Sequence, residues 1–152
     1  MNNTAEPPAE THGSNRDFSY QLQTNASADA IWGVWMDVAN WKDWDLGLKD
    51  ARSEPLALGI QGTVVPRSGP ESKFKVTEFN ESTYTYAFEN NLPGGRLTVC
   101  RTIISTSPTI IEHRVTFSGL TGWLFGRIMG GGFKMALPPT MHKLAEIAEG
   151  GE

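Results

Sequence analysis

Few residues in this sequence could move protons, and His113 is the one histidine that falls within a strand-like segment of the predicted domain. It shares its parity with Val115 and Phe117, and this period of two places it on the inner face of the predicted strand. An imidazole there would titrate near neutral pH, as general acid–base catalysis requires. The simpler interpretation is a core histidine that is bonded by a neighbouring strand.

Aromatic residues follow the same alternation on two earlier segments. Phe74 lies on one of them, and Tyr84, Tyr86 and Phe88 share one parity on the next. A buried tyrosine needs a hydrogen-bond partner for its hydroxyl, which protein, water or ligand could supply. Because ligand pockets are mostly apolar and aromatic, we predict that those residues near an open end of the sheet line a cavity. Core packing is the alternative for each.

Arg101 is the remaining candidate, because its parity matches that of Val99 and Ile103. An inward arginine needs an anion or several acceptors, since its charge cannot be removed by proton loss. Glu78, Glu89 or a ligand carboxylate could be that anion. The residues between these positions are nearly as apolar, so the opposite orientation of Arg101 stays open.

Other catalytic patterns are missing from the sequence. It has no defensible Ser/His/Asp spacing, no metal-ligand cluster and no nucleotide fingerprint. The triplet Gly130-Gly131-Gly132 lacks the Lys-Ser/Thr ending of a phosphate-binding loop. A single cysteine excludes an intramolecular disulfide and a cysteine-based metal site. We therefore predict no metal and no cofactor.

Charge and hydropathy limit the partners. The net charge is -4 and no basic cluster is present, which argues against nucleic acid or an anionic membrane. The most apolar stretch, Gly122 to Leu137, is interrupted by Arg127 and Lys134, so we predict no stable membrane insertion. Since the start of the chain lacks the pattern of a signal peptide, the predicted location is cytoplasmic.

The 152 residues predict one domain with a tail. Residues 1–17 contain no large apolar side chain beyond Met1 and are predicted to be flexible. Residues 18–149 form the predicted domain, as a monomer or a homodimer.

Element patterns give the order of this domain. A strand from Phe18 to Thr24 is followed by two short helices that hold four tryptophans: Trp32, Trp35, Trp41 and Trp44. Turn residues then separate six strands, which pair antiparallel because their connections are short. These strands are predicted at Leu48–Glu54, Gln61–Ser68, Ser72–Asn80, Ser82–Asn90, Gly95–Ser105 and Thr109–Ser118.

The last segment, from Leu120 to Glu149, has apolar residues at helical spacing, among them Met129 and Phe133. The glycine triplet weakens this helix. The pair Pro138-Pro139 removes two backbone donors and predicts a break near residues 136–138. We therefore expect a helix in two parts.

Three motifs carry a resemblance to a known superfamily. Ala26-Ser27-Ala28-Asp29-Ala30-Ile31-Trp32, the tryptophan segment Val38 to Asp45 and Leu58-Gly59-Ile60-Gln61-Gly62-Thr63 resemble those of the START / polyketide-cyclase / pollen-allergen-like superfamily (SRPBCC). Within it, the chain is most similar to the bacterial polyketide cyclase/dehydrase-like group. The resemblance implies an α+β helix-grip fold: two short helices follow strand 1, and a curved antiparallel sheet of about seven strands surrounds a long C-terminal helix.

The resemblance also implies a mostly apolar cavity between sheet and helix. Its predicted function is to bind a small hydrophobic or amphipathic molecule, such as a lipid, sterol or polyketide. A polyketide cyclase/dehydratase-type enzyme, in which His113 and Tyr86 move protons, is the alternative, and a protein-interaction domain is a third interpretation. The predicted ligand-binding residues are Trp41, Trp44, Phe74, Tyr84, Tyr86, Phe88, Arg101, His113, Phe117, Met129 and Phe133.

Overall fold

A computed structural model describes residues 11–150 of the chain and contains one antiparallel sheet. Its eight strands lie in the spatial order β1-β2-β8-β7-β6-β5-β4-β3, so each strand after β3 pairs with the one before it. The strands are β1 His12–Gly13, β2 Asp17–Thr24, β3 Leu48–Ser53, β4 Gln61–Pro66, β5 Ser72–Asn80, β6 Thr85–Leu92, β7 Gly95–Thr106 and β8 Thr109–Gly119.

The strand beyond the seven that were predicted is β1, which lies in the segment predicted to be a tail. Residues 1–10 of that segment lie outside the described residues. In the remainder, His12 and Gly13 of β1 pair with Ser19 and Phe18 of β2, and Asp17 already belongs to β2. Asp17 is fixed there because Arg114 of β8 donates two hydrogen bonds to its carboxylate, at 2.8 and 2.7 Å.

Two short helices connect β2 to β3, as predicted. Helix α1 spans Ala28–Met36 and begins at Ser27, whose hydroxyl accepts a hydrogen bond from the Ala30 amide at 3.1 Å. The second is a 3-10 helix, Val38–Asp43. All four tryptophans of this region are buried, with between 0% and 8% of their surface exposed. The helices are therefore fixed to the core through indole rings.

The C-terminal helix follows β8 and packs against α1 and β2. It consists of α2 Gly122–Phe125, a π-helical turn Gly126–Gly130 and α3 Gly131–Gly150. The predicted break at the proline pair is wrong, since Pro138 and Pro139 lie inside α3. The Lys134 carbonyl, which loses its helical N–H donor to Pro138, accepts a hydrogen bond from the Thr11 hydroxyl at 3.3 Å. The irregularity lies instead at the π turn.

Glycines on this helix give room to the chain before β2. An added Cβ at Gly126 would lie 3.1 Å from the Arg16 Cα, and one at Gly130 would overlap the Asn15 carbonyl. An added Cβ at Gly132 would meet nothing within 4 Å. The glycine triplet thus has one member that permits close packing, against the Asn15–Arg16 segment and not against the tryptophan helices.

We predict that Gly130→Ala destabilises the protein by about 1–3 kcal/mol, since its methyl group must displace the backbone of Asn15. Gly132→Ala is the matched control on the same helix, and we expect it to be neutral or to stabilise by about 0.5–1 kcal/mol. Urea unfolding at equilibrium measures both. Equal effects of the two substitutions would contradict the packing role of Gly130.

Candidate functional site

Three polar side chains form a row across the inner face of the sheet. Arg101 of β7 lies opposite Tyr86 of β6 on one side and opposite His113 of β8 on the other. All three are buried, with 4%, 0% and 1% of their surface exposed. The inward orientation of Arg101 follows from this register, which puts all three residues on one face.

Aromatic rings enclose the Arg101 guanidinium. Its Cζ lies 5.0 Å from the ring centre of Trp41, 4.8 Å from Trp44, 5.8 Å from Tyr86 and 5.1 Å from Phe88. Faces of aromatic rings attract cations, most strongly where water is excluded. The two tryptophans come from the 3-10 helix and its C-cap, and the other two rings from β6. The tryptophan motif and the sheet therefore meet at this charge.

Polar partners of Arg101 come from two directions. Its Nη1 donates a hydrogen bond of 2.7 Å to the Tyr86 hydroxyl, and its Nη2 lies 3.7 Å from Oδ2 of Asp45. The expectation that Glu78 or Glu89 would be the anionic partner of Arg101 is wrong. Glu89 lies 3.8 Å from Arg96 instead, because it occupies the alternate parity on β6.

Burial shifts the pKa values of the groups beside Arg101. It raises the pKa of the Asp45 carboxyl, and the opposing effect of the Arg101 charge is smaller. Burial also raises the pKa of the Tyr86 hydroxyl, so Tyr86 stays protonated near neutral pH. Asp45 was not among the predicted site residues, although it closes the tryptophan motif directly after Trp44.

His113 faces a different part of the interior. Its Nε2 accepts a hydrogen bond from the Trp35 indole at 3.2 Å, which makes Nδ1 the protonated nitrogen of the neutral ring. Burial, and secondarily the Arg101 charge, lowers the pKa of His113 well below the ordinary value of 6.5. The ring is therefore neutral at physiological pH, and it packs at an angle against the rings of Trp35 and Trp44.

A cavity of about 480 Å³ begins beside Arg101 and Asp45. On the sheet side, Leu97 and Val99 precede Arg101 at the same parity on β7, so apolar side chains extend outwards from the charge. On the helix side, Met129 of the π turn and Phe133 of α3 complete the wall. The exposed residues Ser68 to Glu71 and Pro93 of the β6–β7 turn also line the cavity, so its mouth opens to solvent on this side.

Five of the predicted ligand-binding residues line this cavity: Trp41, Phe88, Arg101, Met129 and Phe133. Six do not: Trp44, Phe74, Tyr84, Tyr86, His113 and Phe117. Phe74 and Phe117 pack against residues that line the cavity. The ring centre of Phe74 is 5.2 Å from that of Phe88, and the ring centre of Phe117 is 6.2 Å from that of Phe133. Trp44 and Tyr86 contact the Arg101 guanidinium with their rings, although neither residue lines the cavity.

Tyr84 lies farthest from its predicted place, because β6 begins one residue after it. The Asn80 side chain accepts a hydrogen bond from the Ser82 amide and starts a 3-10 turn, Glu81–Thr83. Tyr84 ends that turn with a φ of 51°, and its hydroxyl donates a 2.7 Å hydrogen bond to Asp29. The alternation used for the prediction therefore fails at this residue.

A second hollow, of about 360 Å³, lies between α1, the 3-10 helix and the end of α3. Its lining includes Gly33, Asp37, Asp43, Trp44 and Ile147. The two aspartates are solvent-exposed, and the buried cation lies at the other cavity. The cavity beside Arg101 is therefore the better candidate site.

Two further findings concern residues 11–150. They contain no cluster of three or more His, Cys, Asp or Glu side chains that could hold a metal ion. Within the same range, no helix has the length and apolar character needed to cross a membrane.

We predict that the buried neutral state of His113 makes the protein acid-sensitive. The lowered pKa stabilises the fold above pH 6.5, and this contribution is lost as the pH falls, by up to about 1.4 kcal/mol per pH unit. Urea unfolding as a function of pH should show a shallower acid loss in His113→Gln, whereas exposed His142→Gln should match the wild type. A wild-type slope in His113→Gln would contradict this account.

Solved structures share this architecture. A protein from Mesorhizobium loti matches with a TM-score of 0.71 at 19% identity, over 90% of this chain and 99% of its own. Norcoclaurine synthase from Thalictrum flavum, in complex with dopamine and hydroxybenzaldehyde, gives 0.68 at 15%, over 90% and 88%. The ZhuI aromatase/cyclase from Streptomyces sp. R1128 gives 0.65 at 12%, over 88% and 93%.

No family model and no curated protein matches the sequence. The likeness is therefore one of fold. The long C-terminal helix, the two short helices and the curved antiparallel sheet are those of the norcoclaurine synthase and aromatase/cyclase structures. The helix-grip fold predicted from the resemblance to the SRPBCC superfamily is confirmed, with eight strands in place of about seven.

Proposed function

We propose that the protein binds a small hydrophobic or amphipathic molecule in the cavity between the sheet and the C-terminal helix. One observation carries this proposal: the cavity has mostly apolar walls, and Arg101 is the one buried cation among the described residues that line it. Sites for small molecules commonly combine an apolar lining with a few fixed polar groups. The walls supply affinity, and Arg101 with Asp45 supplies orientation.

The size of the cavity agrees with this proposal. About 480 Å³ lies within the range of roughly 300–1,000 Å³ that is typical of ligand pockets. Each Å² of apolar surface buried there contributes about 25 cal/mol before ordering costs. The norcoclaurine synthase of similar fold was solved with dopamine and hydroxybenzaldehyde, which are small aromatic molecules.

We predict that Val99→Phe reduces uptake of the neutral fluorescent probe N-phenyl-1-naphthylamine by about tenfold or more. The larger side chain fills the middle of the cavity, where Val99 forms part of the wall. Thr98→Phe is the matched control, because Thr98 does not line the cavity and has the opposite parity on β7. Probe titration by fluorescence measures both.

Two results would contradict the assignment of this cavity as the binding site. If the wild type takes up no apolar probe, or if both variants bind it as the wild type does, the cavity is not the binding site. Thermal unfolding of each variant checks that the larger side chain leaves the fold intact.

A polyketide cyclase/dehydratase-type enzyme is the second candidate, favoured by the position of Asp45 beside Arg101 in the cavity wall. A ketone oxygen could accept a hydrogen bond from Arg101 while the Asp45 carboxylate takes a proton from the adjacent carbon. His113 and Tyr86, the pair expected from the sequence, do not line the cavity. The ZhuI protein of similar fold is an aromatase/cyclase.

For this second candidate we predict that the protein speeds deuterium uptake next to the carbonyl of 4-phenylbutan-2-one in D2O, measured by NMR. Asp45→Asn should abolish the acceleration, because an amide cannot take the proton. Asp43→Asn should keep it, since Asp43 is exposed and lies outside this cavity. No acceleration by the wild type, or equal rates in the two variants, would contradict the enzyme assignment.

A further inference from the structure

The hydrogen bonds of the Arg101 guanidinium are incomplete. Within the described part of the chain, its side chain makes one hydrogen bond, from Nη1 to Tyr86. Its Nε is buried and has no acceptor, and the same is true of Nε1 of Trp44, whose ring lies against the guanidinium. Buried donors in folded proteins nearly always have a partner, so the unbonded Nε of Arg101 calls for an acceptor.

The bonded and unbonded atoms of Arg101 divide by position. Nη1 faces Tyr86, whereas Nε and Nη2 share the other edge of the planar group. A carboxylate binds this edge with two parallel hydrogen bonds, which are stronger than neutral ones. Arg101 and Asp45 both line the cavity, so a ligand held there would lie beside the guanidinium and its unbonded donors.

Asp45 does not supply those bonds. Its Oδ1 accepts from the Gly47 amide at 3.1 Å, and its Oδ2 is 3.7 Å from Nη2, beyond hydrogen-bond distance. Burial also raises the pKa of Asp45, so the carboxyl takes up a proton more readily than an exposed aspartate. It is a weak counterion that a better acceptor can replace.

The rest of the cavity fixes the shape of the molecule that brings this acceptor. Leu97 and Val99 lie on the same face of β7 as Arg101, and the four residue steps from Leu97 to Arg101 span about 13 Å. Met129 and Phe133 face this column from the helix side. A charged head at Arg101 would thus continue into an apolar tail that points to the mouth.

We propose, on the basis of the ligand-binding function above, that the ligand is an amphiphile with a carboxylate head, which the Nε–Nη2 edge of Arg101 binds. Its apolar tail lies along Leu97 and Val99 towards the mouth. Asp45 acts as the internal competitor for the same guanidinium and takes up a proton when the carboxylate arrives.

The test compares three probes of one tail length: decanoate, decan-1-ol and decyltrimethylammonium. Each displaces N-phenyl-1-naphthylamine near pH 7, well above the carboxylic-acid pKa of about 4. We expect decanoate to bind at least about tenfold more tightly than decanol, and the cation to bind most weakly. Arg101→Gln should remove the preference for decanoate over decanol, which is a ratio of two affinities measured on the same variant. Arg96→Gln, an exposed arginine on the same strand, should behave as the wild type.

A second variant keeps the test decisive if Arg101→Gln fails to fold. Asp45→Asn removes the competitor, so decanoate should bind several-fold more tightly while decanol is unchanged. If decanol and the neutral probe bind but decanoate is not preferred, or if Asp45→Asn leaves decanoate binding unchanged, the carboxylate assignment is overturned and the binding function stands. If no probe binds the wild type, both are overturned.

Discussion

The positive charge of Arg101 cannot be removed by proton loss, and yet the folded chain leaves the residue only 4% exposed. Burial of such a charge costs several kcal/mol unless the surroundings replace the lost water. The replacement comes from four aromatic rings, the Tyr86 hydroxyl and the Asp45 carboxyl. Those groups come from the segment after α1 and from β6, so the position of each element is coupled to one guanidinium on β7.

The tryptophans have different roles, which depend on whether they contact the Arg101 guanidinium. Trp41 and Trp44 contact the guanidinium, and Trp41 also donates a hydrogen bond of 2.8 Å to the Trp35 carbonyl, which ties the 3-10 helix to α1. Trp35 donates a hydrogen bond to His113, whose burial keeps its imidazole neutral. A motif that resembles a fold marker in the sequence therefore builds the inner end of the cavity, while only Trp41 of these three lines it.

The helix side of the cavity depends on contacts from the start of the described chain. The Asn15–Arg16 segment packs on Gly126 and Gly130, and Thr11 bonds the carbonyl that Pro138 leaves free. Both contacts concern the same stretch of helix that presents Met129 and Phe133 to the cavity. Residues 11–16 thus support the cavity wall from outside, and none of these six lines the cavity.

Local patterns in the sequence determined much of this structure. Alternation identified the strands, helical spacing identified the two short helices and the C-terminal helix, and parity placed Tyr86 and His113 on the inner face but left the orientation of Arg101 open. These properties depend on neighbours within a few residues. The tertiary structure decided which acid approaches Arg101, because Asp45 is far from it along the chain. It also decided that Tyr84 leaves the strand, that Thr11 compensates for the prolines, and which aromatic rings reach the cavity. Each of these outcomes depends on contacts between distant segments, which periodicity cannot encode.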